Sequence, residues 1–277
     1  MITTTFTAAK TLADGLLALT ETHPTISLDV GENTADDTTF RYSLFLPEDL
    51  KPIVVGMLAE HGVNLLGFSV VDESVDYVAL TRESFPPLII GPYFIARNGE
   101  AAPAGLIGLH VSPNRAFGSG EHATTTGCLL AYEHLREAGF QTSSVLDFGC
   151  GSGILALATA KRENLPALCI DNDPPSVDIC HENAVENGVE QLLTCRVGET
   201  PPAGQQFSLV FANILLHPLL ELAEPLVACL QPGGALVLSG FTTEQAPEIE
   251  TRYQALGLRH TWRHDHAGWV AQIWQHA

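Results

Sequence analysis

Basic side chains are scarce in this chain. Thirteen Lys and Arg stand against 32 Asp and Glu over 277 residues, a formal charge of −19. That deficit speaks against broad, backbone-driven nucleic-acid binding, which needs clustered Lys and Arg. No direct sequence-specific contact with nucleic acid is expected. The excess of acid suits a cationic small molecule or a basic protein as partner. Apolar runs of membrane-spanning length are also missing: the nearest, Leu215 to Leu230, is interrupted by Glu221, Glu224 and Pro225, so no membrane association is expected. The opening Met1-Ile2-Thr3-Thr4-Thr5 has no basic segment followed by an apolar block, and no secretory leader is expected. No Cys-x-x-Cys pair occurs among the six cysteines, Cys128, Cys150, Cys169, Cys180, Cys195 and Cys229. Buried free thiols in a reducing cytoplasm are the expectation.

What is present is an ordinary globular composition, 45% apolar and 16% charged, long enough for two modest domains. Residues 1–80 read as a small α+β unit. Ile2 to Thr7 alternates as a strand does, and Leu12, Leu16 and Leu19 share a helical face. Strands are expected over 25–30 and 39–46, a helical stripe at Leu50, Val54, Met57 and Leu58, and a strand over 65–71. The order β-α-β-β-α-β predicts a ferredoxin-like sandwich. No catalytic cluster stands out in it, so substrate recognition is the expected role.

Residues 81–115, rich in Pro and Gly, read as a structured linker holding strands over 88–96 and 105–111. From 116 to 277, strands and helices alternate. Strands are expected at 145–149, 167–171, 192–197, 207–212 and 235–239, and one amphipathic helix from Leu216 to Leu230. Two last strands turn through Ala267-Gly268 and should be antiparallel. This pattern predicts a Rossmann-like α/β fold with a mostly parallel seven-stranded sheet and a C-terminal antiparallel hairpin. Ligands in such folds bind at the strand carboxyl ends.

The stretch Val145-Leu146-Asp147-Phe148-Gly149-Cys150-Gly151-Ser152-Gly153-Ile154 reads as strand, glycine-dense turn and helix start. Bare backbone at Gly149 and Gly151 lets a ligand approach, with the helix amides facing it. Ile154 occupies the position that would complete Gly-x-Gly-x-x-Gly, so the dinucleotide fingerprint is not met. Asp147, at the strand's end, would repel a pyrophosphate and attract a sulfonium. Turn and acid together point to S-adenosylmethionine as cofactor and count against an NAD-dependent oxidoreductase. Asp171 ends the next strand, 22 positions after Gly149, where an acid accepts from ribose hydroxyls. Asn213 ends the fourth strand. Its amide carbonyl can accept from a neutral amine and turn the lone pair toward a methyl group, which makes it the candidate catalytic residue.

Glu121 and His122 could be an acid/base pair or plain loop groups, and no general base is assigned. His264-Asp265-His266 could offer two metal ligands from one strand face, but no third ligand stands at meaningful spacing. No metal site is expected.

Several segments together carry a family resemblance. They are Ala116-Phe117-Gly118-Ser119-Gly120-Glu121-His122-Ala123-Thr124-Thr125, Val145 to Ala156, Ile170-Asp171-Asn172-Asp173-Pro174, Glu182 to Val189, Ala212-Asn213-Ile214-Leu215, Pro232-Gly233-Gly234 and Leu238-Ser239-Gly240. Over roughly residues 105–245 the chain resembles the bacterial ribosomal protein L-eleven methyltransferases. The resemblance implies a small N-terminal recognition domain joined to a class I methyltransferase domain. It implies methyl transfer from S-adenosylmethionine to lysine ε-amines, and to the N-terminal α-amine, of a ribosomal protein. Another protein or a small amine is the alternative acceptor. The implied cofactor positions are Thr125, Gly149, Asp171 and Asn213, with Phe117 and Gly118 in a lid-like loop. Two departures stand out: Ala123 replaces a usual Pro, and residues 1–80 match in layout only.

Overall fold

The computed structural model describes residues 2–23, 25–32, 39–63, 67–70, 87–96, 100–111 and 122–276. The chain divides into two compact units, Met1–Tyr77 and Val78–Ala277.

In the smaller unit the elements run β1 (Ile2–Ala9), α1 (Leu12–Thr22), β2 (Ser27–Glu32), β3 (Thr39–Leu46), α2 (Lys51–Glu60) and β4 (Ser69–Val70). The antiparallel sheet has the order β2-β3-β1-β4, as the ferredoxin-like reading requires. Alternation decides which face is buried. Ile2 and Thr4 of β1 and Tyr42, Leu44 and Leu46 of β3 turn inward, onto Leu12 and Leu16 of α1 and Val54 and Leu58 of α2. Residues 33–38, between the strands expected over 25–30 and 39–46, lie outside the described residues, as do 65, 66 and 71 of the expected last strand.

The larger unit opens with a three-stranded sheet, β5 (Leu88–Ile90), β6 (Tyr93–Ala96) and β7 (Ile107–His110). The single strand expected over 88–96 is a hairpin, because Gly91 (φ +53°) and Pro92 turn the chain between β5 and β6. Ile90, Tyr93, Ile95 and Leu109 pack in the same core as the helices that follow, so this segment is built into the larger unit.

Then come α3 (Ala123–Glu137), β8 (Val145–Phe148), α4 (Ile154–Glu163), β9 (Ala167–Asp171), α5 (Pro174–Glu186), β10 (Leu193–Val197), β11 (Phe207–Asn213), α6 (Leu216–Glu221), α7 (Ala223–Ala228), β12 (Leu230–Thr242), α8 (Ala246–Ala255), β13 (Leu258–His266) and β14 (Trp269–His276). The seven-stranded sheet has the order β10-β9-β8-β11-β12-β14-β13. Its first five strands are parallel, and β14 runs antiparallel to both of its neighbours, β12 and β13. Period-two alternation sends Val145, Leu209, Phe211 and Val237 into a core on one face. Leu146, Phe148, Val210 and Leu238 go to a core on the other.

One helix differs from expectation. The stripe from Leu216 to Leu230 forms two short helices meeting at Leu222. Pro225 has no N–H to offer the Glu221 carbonyl, so the ladder breaks there.

Candidate active site

The register of the parallel sheet builds the site. Phe148, the last residue of β8, pairs with Ile170 of β9 on one side and Ala212 of β11 on the other. Asp171 and Asn213 are the next residues of those two strands. They therefore flank the turn that leaves β8 at Gly149, at the carboxyl ends where an α/β sheet takes its ligands.

The turn is shaped by close approach. Gly149 (φ +72°) and Gly240 (φ +95°) both press on Ile214, and a Cβ on either would fall well inside van der Waals contact with it. Only glycine allows the loop after Asn213 to be wedged between the ends of β8 and β12. Gly149 and Cys150 donate backbone hydrogen bonds to the Ile170 carbonyl at 2.8 and 3.1 Å.

Asp171 holds the same turn from the side. One carboxylate oxygen accepts from the Gly151 N–H at 2.8 Å, the other from the Asp173 N–H at 3.0 Å. A carboxylate accepts about four hydrogen bonds, so capacity remains for ligand hydroxyls. Asp173 caps α5, accepting from the Ser176 N–H, and leaves Asp171 free of that task.

Asp147 lies beneath the turn, 1% exposed. Its Oδ2 accepts from the Ala156 N–H at 3.1 Å, in the first turn of α4. The N-cap of α4 is Gly153, which has no side chain, so this acid from the preceding strand does the capping. Burial pushes its carboxyl up to about 8, against the lowering effect of the Ala156 bond. The sequence led us to expect an ionised carboxylate facing the ligand. The structure instead shows a buried group that supports the turn from below.

Two expected site residues share an unusual feature. Thr125 Oγ1, on α3, and Asn213 Oδ1 are buried and have no hydrogen-bond partner among the described residues. Such an unpartnered group costs about 1–3 kcal/mol; Thr142 Oγ1, Arg136 Nε and Arg162 Nε share the feature elsewhere. His122 is the N-cap of α3: its Nδ1 accepts from the Thr124 N–H, and its ring meets Trp269 edge-on at 4.7 Å. It therefore has a structural task. Ala123 is the first residue of α3, a position that Pro would also fit. Phe117, Gly118 and Glu121 lie outside the described residues.

His264, half-buried, and His266, exposed, lie on β13, with Asp265 between them paired to Arg263 at 2.8 Å. Sequence reasoning missed two features: Ile214 as the wedge, and Leu215, which stands 68% exposed two residues past Asn213. An apolar hollow of about 540 Å³ lined by Val227, Leu230 and Pro232 lies at the amino ends of β11 and β12, away from this chemistry.

The fold and the glycine turn, with acid and amide at adjoining strand ends, define a class I methyltransferase. The chain belongs to the ribosomal protein L11 methyltransferase family, whose model, "Ribosomal protein L11 methyltransferase (PrmA)", matches residues 50–276. A ribosomal protein L11 methyltransferase from Brucella abortus (strain S19) is 33% identical over 249 residues, covering 87% of each chain. One from Rhizobium rhizogenes is 34% identical over 209 residues, covering 71% of this chain and 69% of its own. The crystal structure of a ribosomal protein L11 methylase from Lactobacillus delbrueckii subsp. bulgaricus has a TM-score of 0.61 at 25% identity. It covers 69% of this chain and 99% of that one.

Proposed function

We propose that the chain transfers methyl groups from S-adenosylmethionine to ribosomal protein L11, with lysine ε-amines as acceptors and the N-terminal α-amine as a further one. The observation that carries this reading is the pair of orphan acceptors, Thr125 Oγ1 and Asn213 Oδ1, in the fold of this family. S-adenosylmethionine, when bound, supplies an electrophilic methyl group on a sulfonium.

The protein's part is to bind and align. Gly149 and Gly151 offer bare backbone, the spare acceptor capacity of Asp171 suits ribose hydroxyls, and Thr125 takes a further donor. Phe117 and Gly118, outside the described residues, are further cofactor positions by resemblance to the family. Asp147 acts through the turn as a positioning residue. A free lysine has a pKa of about 10.4 and must lose a proton before it can attack. Desolvation at the site favours the neutral amine. Asn213 Oδ1 then accepts an amine N–H, which turns the nitrogen lone pair toward the methyl group. Alignment is the larger contribution, since direct displacement needs little acid or base help.

Residues Met1–Tyr77 recognise the substrate, and the charge of −19 favours docking of a basic ribosomal protein in the cytoplasm. The test is incubation with labelled methyl donor and ribosomes, intact or stripped, followed by mass spectrometry. Label on amines of protein L11 is expected. Label confined to another protein would overturn the substrate assignment, and no label would overturn the activity. Exchanging residues 1–77 with those of a family member should retain L11 labelling; loss with a folded chimera would remove recognition from this unit.

A further inference from the structure

Three thiols converge one layer beneath the glycine turn. Cys169 on β9, Cys180 on α5 and Cys195 on β10 place their sulfurs all within 4.8 Å of one another, and the Cys195 and Cys180 sulfurs are 3.4 Å apart. Cys169 and Cys195 are direct partners across the parallel β9–β10 pair, so the sheet fixes two of the three. Cys180 faces them, fully buried, from the helix. Cys150, inside the turn, is buried but stands outside this set of mutually close sulfurs.

The donor set is all sulfur, the kind that selects zinc and other thiophilic ions over hard cations. Sulfurs at about 2.3 Å from a tetrahedral zinc stand about 3.8 Å from each other. The separations of 3.4 Å and up to 4.8 Å bracket that edge. Cys195 is only partly buried and gives an ion a way in. The cluster also touches the ligand turn: a Cβ on Gly153 would collide with the Cys180 sulfur, and the Gly153 N–H donates to the Cys150 carbonyl at 2.8 Å.

We infer that Cys169, Cys180 and Cys195 form a three-thiolate site for a thiophilic metal ion of the zinc class, with a water completing the tetrahedron, and that filling it clamps the turn that begins α4. Binding forms three metal–sulfur bonds and releases three thiol protons to solvent, with no change of oxidation state. The spacings, 11 and 15 residues, match no short ligand motif, so sequence reading did not find the set. The inference does not depend on which amine is methylated.

The test uses the reduced, metal-free full chain, titrated with Co²⁺ as a spectroscopic stand-in and with Zn²⁺ for stoichiometry by elemental analysis. One ion per chain is expected, with a tetrahedral thiolate spectrum. Cys195→Ser should weaken binding by at least about 100-fold, more than loss of an outer-shell partner costs. Cys128→Ser, a buried thiol outside the group, and His264→Ala should leave binding unchanged. No retained ion would overturn the inference, as would an unchanged spectrum in Cys195→Ser or loss of binding in His264→Ala. Should Cys195→Ser fail to fold, alkylation of Cys195 in the unaltered chain decides. Protection by Zn²⁺ supports the site, and equal rates with and without the ion overturn it.

Discussion

The two ends of helix α3 solve opposite problems. At its C-terminal end lies a closed network. Tyr93 donates to Glu133 at 2.6 Å, and Glu133 pairs with Arg136 at 3.1 Å and Arg162 at 3.3 Å. Arg136 also reaches Glu163 at 3.0 Å. Every charge there meets its opposite, although Arg136 Nε and Arg162 Nε make no hydrogen bond of ordinary geometry among the described residues. Burial first, then the bond to Glu133, pushes the Tyr93 hydroxyl far above its ordinary value, so it stays a donor. At the N-terminal end Thr125 is buried just as deeply, yet its hydroxyl meets nothing described, and neither does the Asn213 carbonyl oxygen. One end makes its ion pairs within the protein, and the other keeps a buried hydroxyl and a buried carbonyl oxygen free, which is the ground for proposing a ligand there. Polar residues that stabilise and polar residues that act are told apart by whether their bonds are already made.

Substitutions at the two ends should therefore separate activity from stability. The largest effect is expected for Asn213→Ala. Methyl transfer should fall on the order of 100-fold or more, as when one preorganised polar group is removed, while stability moves by less than about 1 kcal/mol. Single-turnover rates and denaturant melts check this; a large stability loss with normal turnover of the folded fraction would erase the contrast. Next comes Glu133→Gln. It leaves Arg136 and Arg162 short of a charge partner and should cost about 2 kcal/mol of stability, discounted for their partial exposure. Affinity for S-adenosylmethionine should be unchanged, and a change in it would show that the ends are coupled.

Thr125→Val should weaken S-adenosylmethionine binding by about 1 kcal/mol and leave stability equal or slightly higher, since it removes an orphan hydroxyl. Destabilisation would mean that the hydroxyl has a structural partner. A fourth expectation concerns a slope in pH. Asp147 binds its proton more tightly folded, at about 8, than at its ordinary value of 3.8. Its contribution to stability is thus fully present below pH 4 and lost as pH rises toward 8. Asp147→Asn keeps an oxygen for the Ala156 N–H but cannot ionise. Its stability should fall less steeply across that window than that of the unaltered chain, and parallel curves would refute the assignment.

Much of this was legible in the residues. Period-two alternation marked the strands, Asp171 and Asn213 could be placed at strand ends by counting, and the glycine turn announced its close contacts. Which face a side chain takes was harder to read. Because β8 is covered on both faces, its pattern does not reveal that Asp147 points under α4. Pro225 was visible in the sequence, but a continuous apolar stripe hid the break it makes. The place of residues 88–111 in the larger core depends on long-range packing of Tyr93 and Leu109, which no local pattern encodes. The thiol cluster joins three elements at unrelated spacings, and only the fold assembles it.

The central claim is that the strand ends around Gly149, Asp171 and Asn213 hold S-adenosylmethionine. Calorimetric titration of the unaltered chain and of Asp171→Ala, with NAD run in parallel, tests it most directly. One S-adenosylmethionine per chain, no heat from NAD, and clearly weaker binding in a folded Asp171→Ala are expected. NAD binding without S-adenosylmethionine binding, or equal S-adenosylmethionine affinity in both proteins, would contradict it.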